Sequence, residues 1–155
     1  MKATPDGTQA VLKILSDTPR QLTSLIARLD DSHLYTKPGQ KTWSAAEILA
    51  HLRACSDVWT FSIYAMLTEE IPILPDINER RWAKVTSYAR IPLALSLQAF
   101  SFQREELLRV LRALPPEGWE RVALVFERKH TVFTQAHRMA LHEQEHVEQI
   151  RQLKV

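Results

Sequence analysis

The stretch TWSAAEILAHL, Thr42 to Leu52, decides the fold. Ser44 followed by Glu47 is a capping box: the serine hydroxyl takes the N–H three residues on, and the glutamate reaches back to the serine's own N–H. Trp43 and Ile48 occupy the two positions of a hydrophobic staple, which fixes the angle at which the chain enters the helix. The helix is predicted to run to about Leu67, because the prolines of IPILP (71–75) follow and disfavour helical backbone before them.

Working outward, three further helical segments emerge. Upstream, Thr18, Pro19 and Gln21 read as an N-cap, a first helical residue and a capping-box partner. Leu22, Leu25, Ile26 and Leu29 then recur at helical spacing, while Val11, Leu12 and Leu15 mark a shorter piece set off at Pro19. Downstream, DINERRWAKVTSYAR (76–90) is a linker with a short helix around Trp82. The third long helix starts near Pro92, carries Leu93, Leu95, Leu97, Phe100, Leu107, Leu108 and Leu111, and ends where Pro115 and Pro116 cannot continue it. GWERVALVFERKH (118–130) reads as a short extended piece or a loop, and no strand is persuasive. Thr131 is the N-cap expected for the last helix. Four amphipathic helices and little else imply an all-α bundle forming a single domain over residues 1–155.

Composition narrows the function. The 155 residues suffice for one core, and 45% hydrophobic with 25% charged is globular. Twenty Lys plus Arg against 18 Asp plus Glu is too balanced for a nucleic-acid binder, and no basic run with interleaved aromatics is present. No apolar stretch approaches the ~18 residues of a membrane helix. The N-terminal segment has no apolar core of a signal peptide. A lone cysteine, Cys55, forms no internal disulfide and fits a reducing compartment, so a cytoplasmic location is expected.

The chemistry gathers in LHEQEHVEQI, Leu141 to Ile150. Helical residues four apart have Cβ atoms ~5–6 Å from each other, so the imidazoles of His142 and His146 can converge on one ion. Helical projection puts both at one edge of the core face, with His137 nearly opposite; His33 and His130 fall in loops or at boundaries. The spacing alone is weak evidence, and it also fits a polar helix edge facing water. HEQEH also matches the H-E-x-x-H pattern of zinc proteases, with Glu143 as general base. Projection points Glu143 at the core, however, and a third ligand would then lie further along. His51, on the second helix, is the best third-ligand candidate from another helix. Glu47 is assigned to its cap rather than to a ligand, and Cys55, on the face of His51, to a small buried side chain beside it.

GQKTWSAAEILAHL (39–52) together with HEQEHVEQI (142–150) resembles the DinB-like, or YfiT-like, metal-dependent hydrolase family. That family shares a W-S-x-x-E-x-x-x-H-L stretch at the start of its second helix and H-x-x-x-H-x-x-Q-I on its last. The likeness extends to TPRQL (18–22) and REELLRVLRALPPEGWER (104–121), nearly the whole chain. It implies an up-down-down-up four-helix bundle holding a divalent metal ion (Zn, Ni, Fe or Mn) by His51, His142 and His146. Known chemistry in the family includes transferases and isomerases dependent on a low-molecular-weight thiol. A small-molecule substrate and thiol transfer are therefore expected, with hydrolysis or a non-catalytic metal-binding role as alternatives. Gln149, one turn beyond His146, is the residue expected to orient a bound ligand. His142, His146 and Glu148 also fit the letters of a related iron-binding motif, but projection turns Glu148 away from His146. The chain departs from the family at ERKHTVF (127–133), where a glycine-containing turn often precedes the last helix. Trp59, Phe61, Tyr64 and Phe100, more aromatic surface than one core takes up, suggest a homodimer through helix packing.

Overall fold

The computed structural model describes residues 1–153. Its elements are α1 (Pro5–Ile26), α2 (Asp31–Tyr35), α3 (Ala45–Thr68), β1 (Ile73–Leu74) and α4 (Glu79–Thr86). A 3-10 turn at Tyr88–Arg90 follows, then α5 (Leu93–Arg112), α6 (Pro116–Trp119), β2 (Val122–Val125), β3 (Arg128–Thr131) and α7 (Val132–Arg151).

The four long helices α1, α3, α5 and α7 form the bundle, and their side-chain pairings give its directions. His51 meets His142, and Trp59 meets Arg138, so α3 and α7 are antiparallel. Arg53 donates to Ser96 and Gln103 to Asp57, so α3 and α5 are parallel. Gly7 lies against Phe133, and Thr18 lies beside Glu143, so α1 and α7 are parallel too. The order is up-down-down-up. Two successive parallel helices demand a long connection, which residues 69–92 supply.

Capping decides where three helices start. At α3, the Ser44 N–H donates to Glu47 Oε2 (3.0 Å) and the Glu47 N–H to Ser44 Oγ (3.3 Å), as the sequence predicts. Thr131 caps α7, exchanging hydrogen bonds with Thr134. The reading of α1 needs correction. Its N-cap is Thr4, which accepts the Gly7 N–H at 3.1 Å with Pro5 as first helical residue. Thr18 and Pro19 lie inside one continuous helix. Thr18 is buried and its hydroxyl donates to the Ile14 carbonyl, and Thr23 does the same for Pro19. Pro19 has no N–H to give Leu15, so one rung is absent without a break.

Strands are also present: the segment read as a short extended piece or a loop forms a hairpin, although no strand is persuasive from the sequence. β1 pairs in parallel with β2, which pairs antiparallel with β3. The two-residue hairpin loop, Phe126 and Glu127, has φ of 45° and 64°, the left-handed geometry that matches strand twist. No glycine supports it. Arg121 then reaches across to the carbonyls of Met66 and Glu69 at the end of α3, satisfying acceptors that the helix cannot.

Apolar burial falls into two clusters. One centres on Leu15, Ile63, Met66, Leu107, Phe133 and Met139; the other on Leu22, Ile48, Leu49, Phe100, Val147 and Ile150. Between them lies a polar layer of Thr18, Arg104 and Glu143, the last two forming an ion pair 1% and 2% exposed. Of the aromatic residues that suggested a homodimer, Trp59 and Phe100 are fully taken up by the core and Tyr64 is half-buried. Phe61 alone of the four stays outside. Among the described residues, no helix is long and apolar enough to cross a membrane.

Candidate metal centre

The antiparallel contact of α3 with α7 brings His51 opposite His142 and His146. His142 Nε2 lies 3.2 Å from His51 Nε2 and 3.1 Å from His146 Nε2. Neutral imidazoles satisfy these contacts poorly, because the one nitrogen of His142 faces two others and a single proton cannot serve both well. An ion bound at ~2.0–2.1 Å by two nitrogens needs them roughly 2.9–3.4 Å apart for bond angles near 90–110°. The observed separations fall inside that window, so the donor set fits a divalent cation, as its mutual clustering within 4.8 Å also indicates.

The surroundings hold these rings as neutral ligands. Burial pushes His51 down to about 4 and His142 to about 3, and it lowers His146 as well. Each is half-buried, and charging one ring raises the cost of charging its neighbours. His146 Nδ1–H donates to Gln149 Oε1 at 2.8 Å, which leaves Nε2 unprotonated and aimed at the cluster. His142 Nδ1 is buried without a partner among the described residues. Trp43 stacks on His146 with centroids 5.9 Å apart and meets His51 edge-on at 5.0 Å. Trp59 meets His142 edge-on, also at 5.0 Å. The two indoles form apolar walls that restrict rotation of the imidazoles.

The open side faces a cleft of about 530 Å³ lined by His51, Cys55, Trp59, Glu79, Arg138 and His142, among others. Cys55 Sγ lies 3.5 Å from His51 Nε2. Burial drives its thiol pKa upward, so it stays protonated and is a poor nucleophile. Glu79 enters from α4 and accepts the Trp59 indole N–H at 2.7 Å. α4 is in turn tied down by Asp57, which accepts from Trp82, Tyr88 and Gln103.

The structure therefore brings together His51, His142 and His146 and leaves out His33, His130 and His137. His137 lines the outer cleft, packed against Phe133. Gln149, expected to orient a bound ligand, spends its amide oxygen on His146. Glu143 turns into the bundle against Arg104, which removes the general base that the zinc-protease pattern requires. Glu47 is held by its cap and by Lys37 at 3.0 Å. Glu148 pairs with Arg151 on the exposed side. Sequence reading missed Trp43 as a wall of the site, along with Glu79 and Arg138. Arg138 precedes His142 by one helical turn and Trp59 follows His51 by two, so common helix faces were the available signal.

Comparisons with known proteins give the family of this fold. The model of the DinB superfamily matches residues 14–150, and the chain belongs to that superfamily. A protein of Oceanobacillus iheyensis, named provisionally as a metal-dependent hydrolase, is 25% identical over 107 residues, 69% of this chain and 62% of the relative. One of Halalkalibacterium halodurans, similarly named, is 24% identical over 106 residues, 68% of this chain and 61% of the relative. The match thus spans about three fifths of the length of these relatives. The solved structure of YfiT from Bacillus subtilis superposes with a TM-score of 0.86 over 98% of this chain and 88% of that one, at 18% identity. It is described as an unusual four-helix bundle and, again provisionally, as a metal-dependent hydrolase. At that identity the likeness carries the fold.

Proposed function

We propose that His51, His142 and His146 hold a divalent cation and that the protein is a metal-dependent enzyme transferring a small thiol to an electrophilic small molecule. The observation that carries this is the convergence of the His51 and His146 Nε2 atoms on that of His142, at 3.2 and 3.1 Å, beside an open cleft that His51 and His142 line. A closed structural site would have a fourth protein ligand, and among the described residues the cluster has three. When bound there, a divalent cation supplies a Lewis-acidic centre that deprotonates a coordinating thiol or water near neutral pH.

The chain's own residues do the rest. Gln149 fixes the tautomer of His146, Trp43 and Trp59 limit water at the triad, and α4 closes one side of the cleft. In thiol transfer the proton leaves to solvent, a sulfur–carbon bond forms, and the bond to the leaving group breaks. No protein base is required, which matches the engagement of Glu47 and Glu143 elsewhere. A second reading, hydrolysis, is favoured by Glu79 and Glu145 on the cleft wall and by the names of the relatives. The test is metal analysis of the purified protein followed by assays with an electrophilic reporter, with and without added thiol. Thiol-dependent turnover lost on chelation supports transfer; turnover without thiol supports hydrolysis; turnover that survives chelation sinks both.

A further inference from the structure

The two tryptophans that wall the triad each carry an arginine. The Arg138 guanidinium sits 4.5 Å from the centre of the Trp59 ring, and that of Arg80 sits 5.5 Å from Trp43. Six arginines spend donors elsewhere: Arg104 on Glu143, Arg121 on carbonyls, Arg53 on Ser96, and Arg20, Arg112 and Arg151 on carboxylates; what sets Arg138 apart from the remaining arginines is its place on Trp59 at the cleft. Arg138 and Arg80 have neither an ion pair nor a hydrogen bond among the described residues. A contact through the flat face of guanidinium leaves its in-plane N–H donors free. Trp59 therefore holds Arg138 in place without using the donors that recognise anions.

Of the two, Arg138 lines the cleft. Through Trp59, its guanidinium carbon lies within about 10 Å of the His142 ring centre. Among the described residues the carboxylates nearby do not pair with it: Glu79 takes the Trp59 N–H, and Glu145, also on the cleft wall, makes no ion pair. We propose that Arg138 is a specificity-determining residue that receives a carboxylate of the small molecule bound in this cleft, so that one substrate is a compact carboxylic acid. Guanidinium and carboxylate match as a two-pronged pair. The inference rests on the reading of this cleft as the ligand site of a histidine-held cation.

The test compares 3-mercaptopropionate with 2-mercaptoethanol on the cobalt-loaded protein, following the sulfur-to-cobalt absorption band. The acid is expected to bind about tenfold more tightly. Arg138→Gln, a change at an exposed side chain, should erase that preference while leaving cobalt content and 2-mercaptoethanol affinity unchanged. Arg80→Gln should preserve it. Equal binding of the two thiols by the wild type, or equal loss in both variants, overturns the proposal, the latter by exposing a diffuse field instead of a site. If neither thiol produces the band, thiol transfer fails, and a second readout still decides this point. Propionate, but not 1-propanol, should shift the Arg138 side-chain N–H resonance of the metal-free protein. An Arg138 resonance indifferent to propionate overturns the inference.

Discussion

Replacing Glu143 by Met strands the Arg104 guanidinium in the middle of the bundle. Both side chains are almost fully buried, and Arg104 Nε and Glu143 Oε2 already lack partners among the described residues, so no spare hydrogen bond takes up the loss. A guanidinium cannot shed its proton, and an uncompensated buried charge costs about 3–5 kcal/mol. The reverse variant, Arg104→Met, is milder. The carboxyl left behind can bind a proton, and burial already pushes it up to about 7 with Arg104 pulling the other way. What remains is a neutral acid with unmet hydrogen bonding, about 1–3 kcal/mol. At roughly 2–4 °C per kcal/mol for a domain of this size, Glu143→Met should lower Tm by about 6–20 °C and Arg104→Met by about 2–12 °C. The double Met variant should recover most of the loss, because two apolar side chains replace an ion pair at little net cost. Urea and thermal denaturation followed by circular dichroism measure all three. Equal losses in the single variants, or an additive double variant, would refute the reasoning.

Three further outcomes follow from the site and the hairpin. A divalent cation at 100 times its Kd should stabilise the wild type by about 2.7 kcal/mol, a Tm rise of roughly 5–11 °C, and should leave His51→Ala unmoved; a rise retained by that variant would place the cation elsewhere. Gln149→Ala should weaken metal binding by about 10–100-fold in a calorimetric titration, with the fold intact, since it frees the His146 ring. Unchanged affinity would show that the hydrogen bond is incidental. Phe126→Asn with Glu127→Gly should stabilise the protein by about 1–2 kcal/mol by relieving two left-handed residues, and a loss of stability would mean that the exposed Phe126 ring contributes more than its backbone costs.

The bundle was legible because its signals are local. Ser44 and Glu47 lie three residues apart, as do Thr131 and Thr134, and a cap is read from such neighbours alone. The same locality misled the reading of α1. A Thr-Pro pair occurs at Thr4–Pro5 and again at Thr18–Pro19, and the chemistry of a cap is identical in both. What separates them is the burial of Thr18 against its neighbours, a tertiary fact. The sheet escaped notice because β1 has two residues and the hairpin turn lacks the glycine that announces such a loop. His142 and His146 were visible as a pair through helical spacing. Their meeting with His51 across 91 residues depends on the relative direction of α3 and α7, which no spacing encodes.

The parallel course of α3 and α5 has one more consequence. A helix of 24 residues is about 36 Å long, and the chain must travel that distance back before α5 can begin. The returning segment, residues 69–92, is thus compulsory in length yet contributes little to the core: α4 has no buried residue. It passes beside the histidines, where it contributes Glu79 to the cleft and Arg80 to the far wall, anchored through Asp57. A stretch that topology requires but packing hardly constrains can change sequence at small cost in stability. Under the proposed function, the return path is where one bundle would be retuned to different small molecules while its three histidines stay fixed.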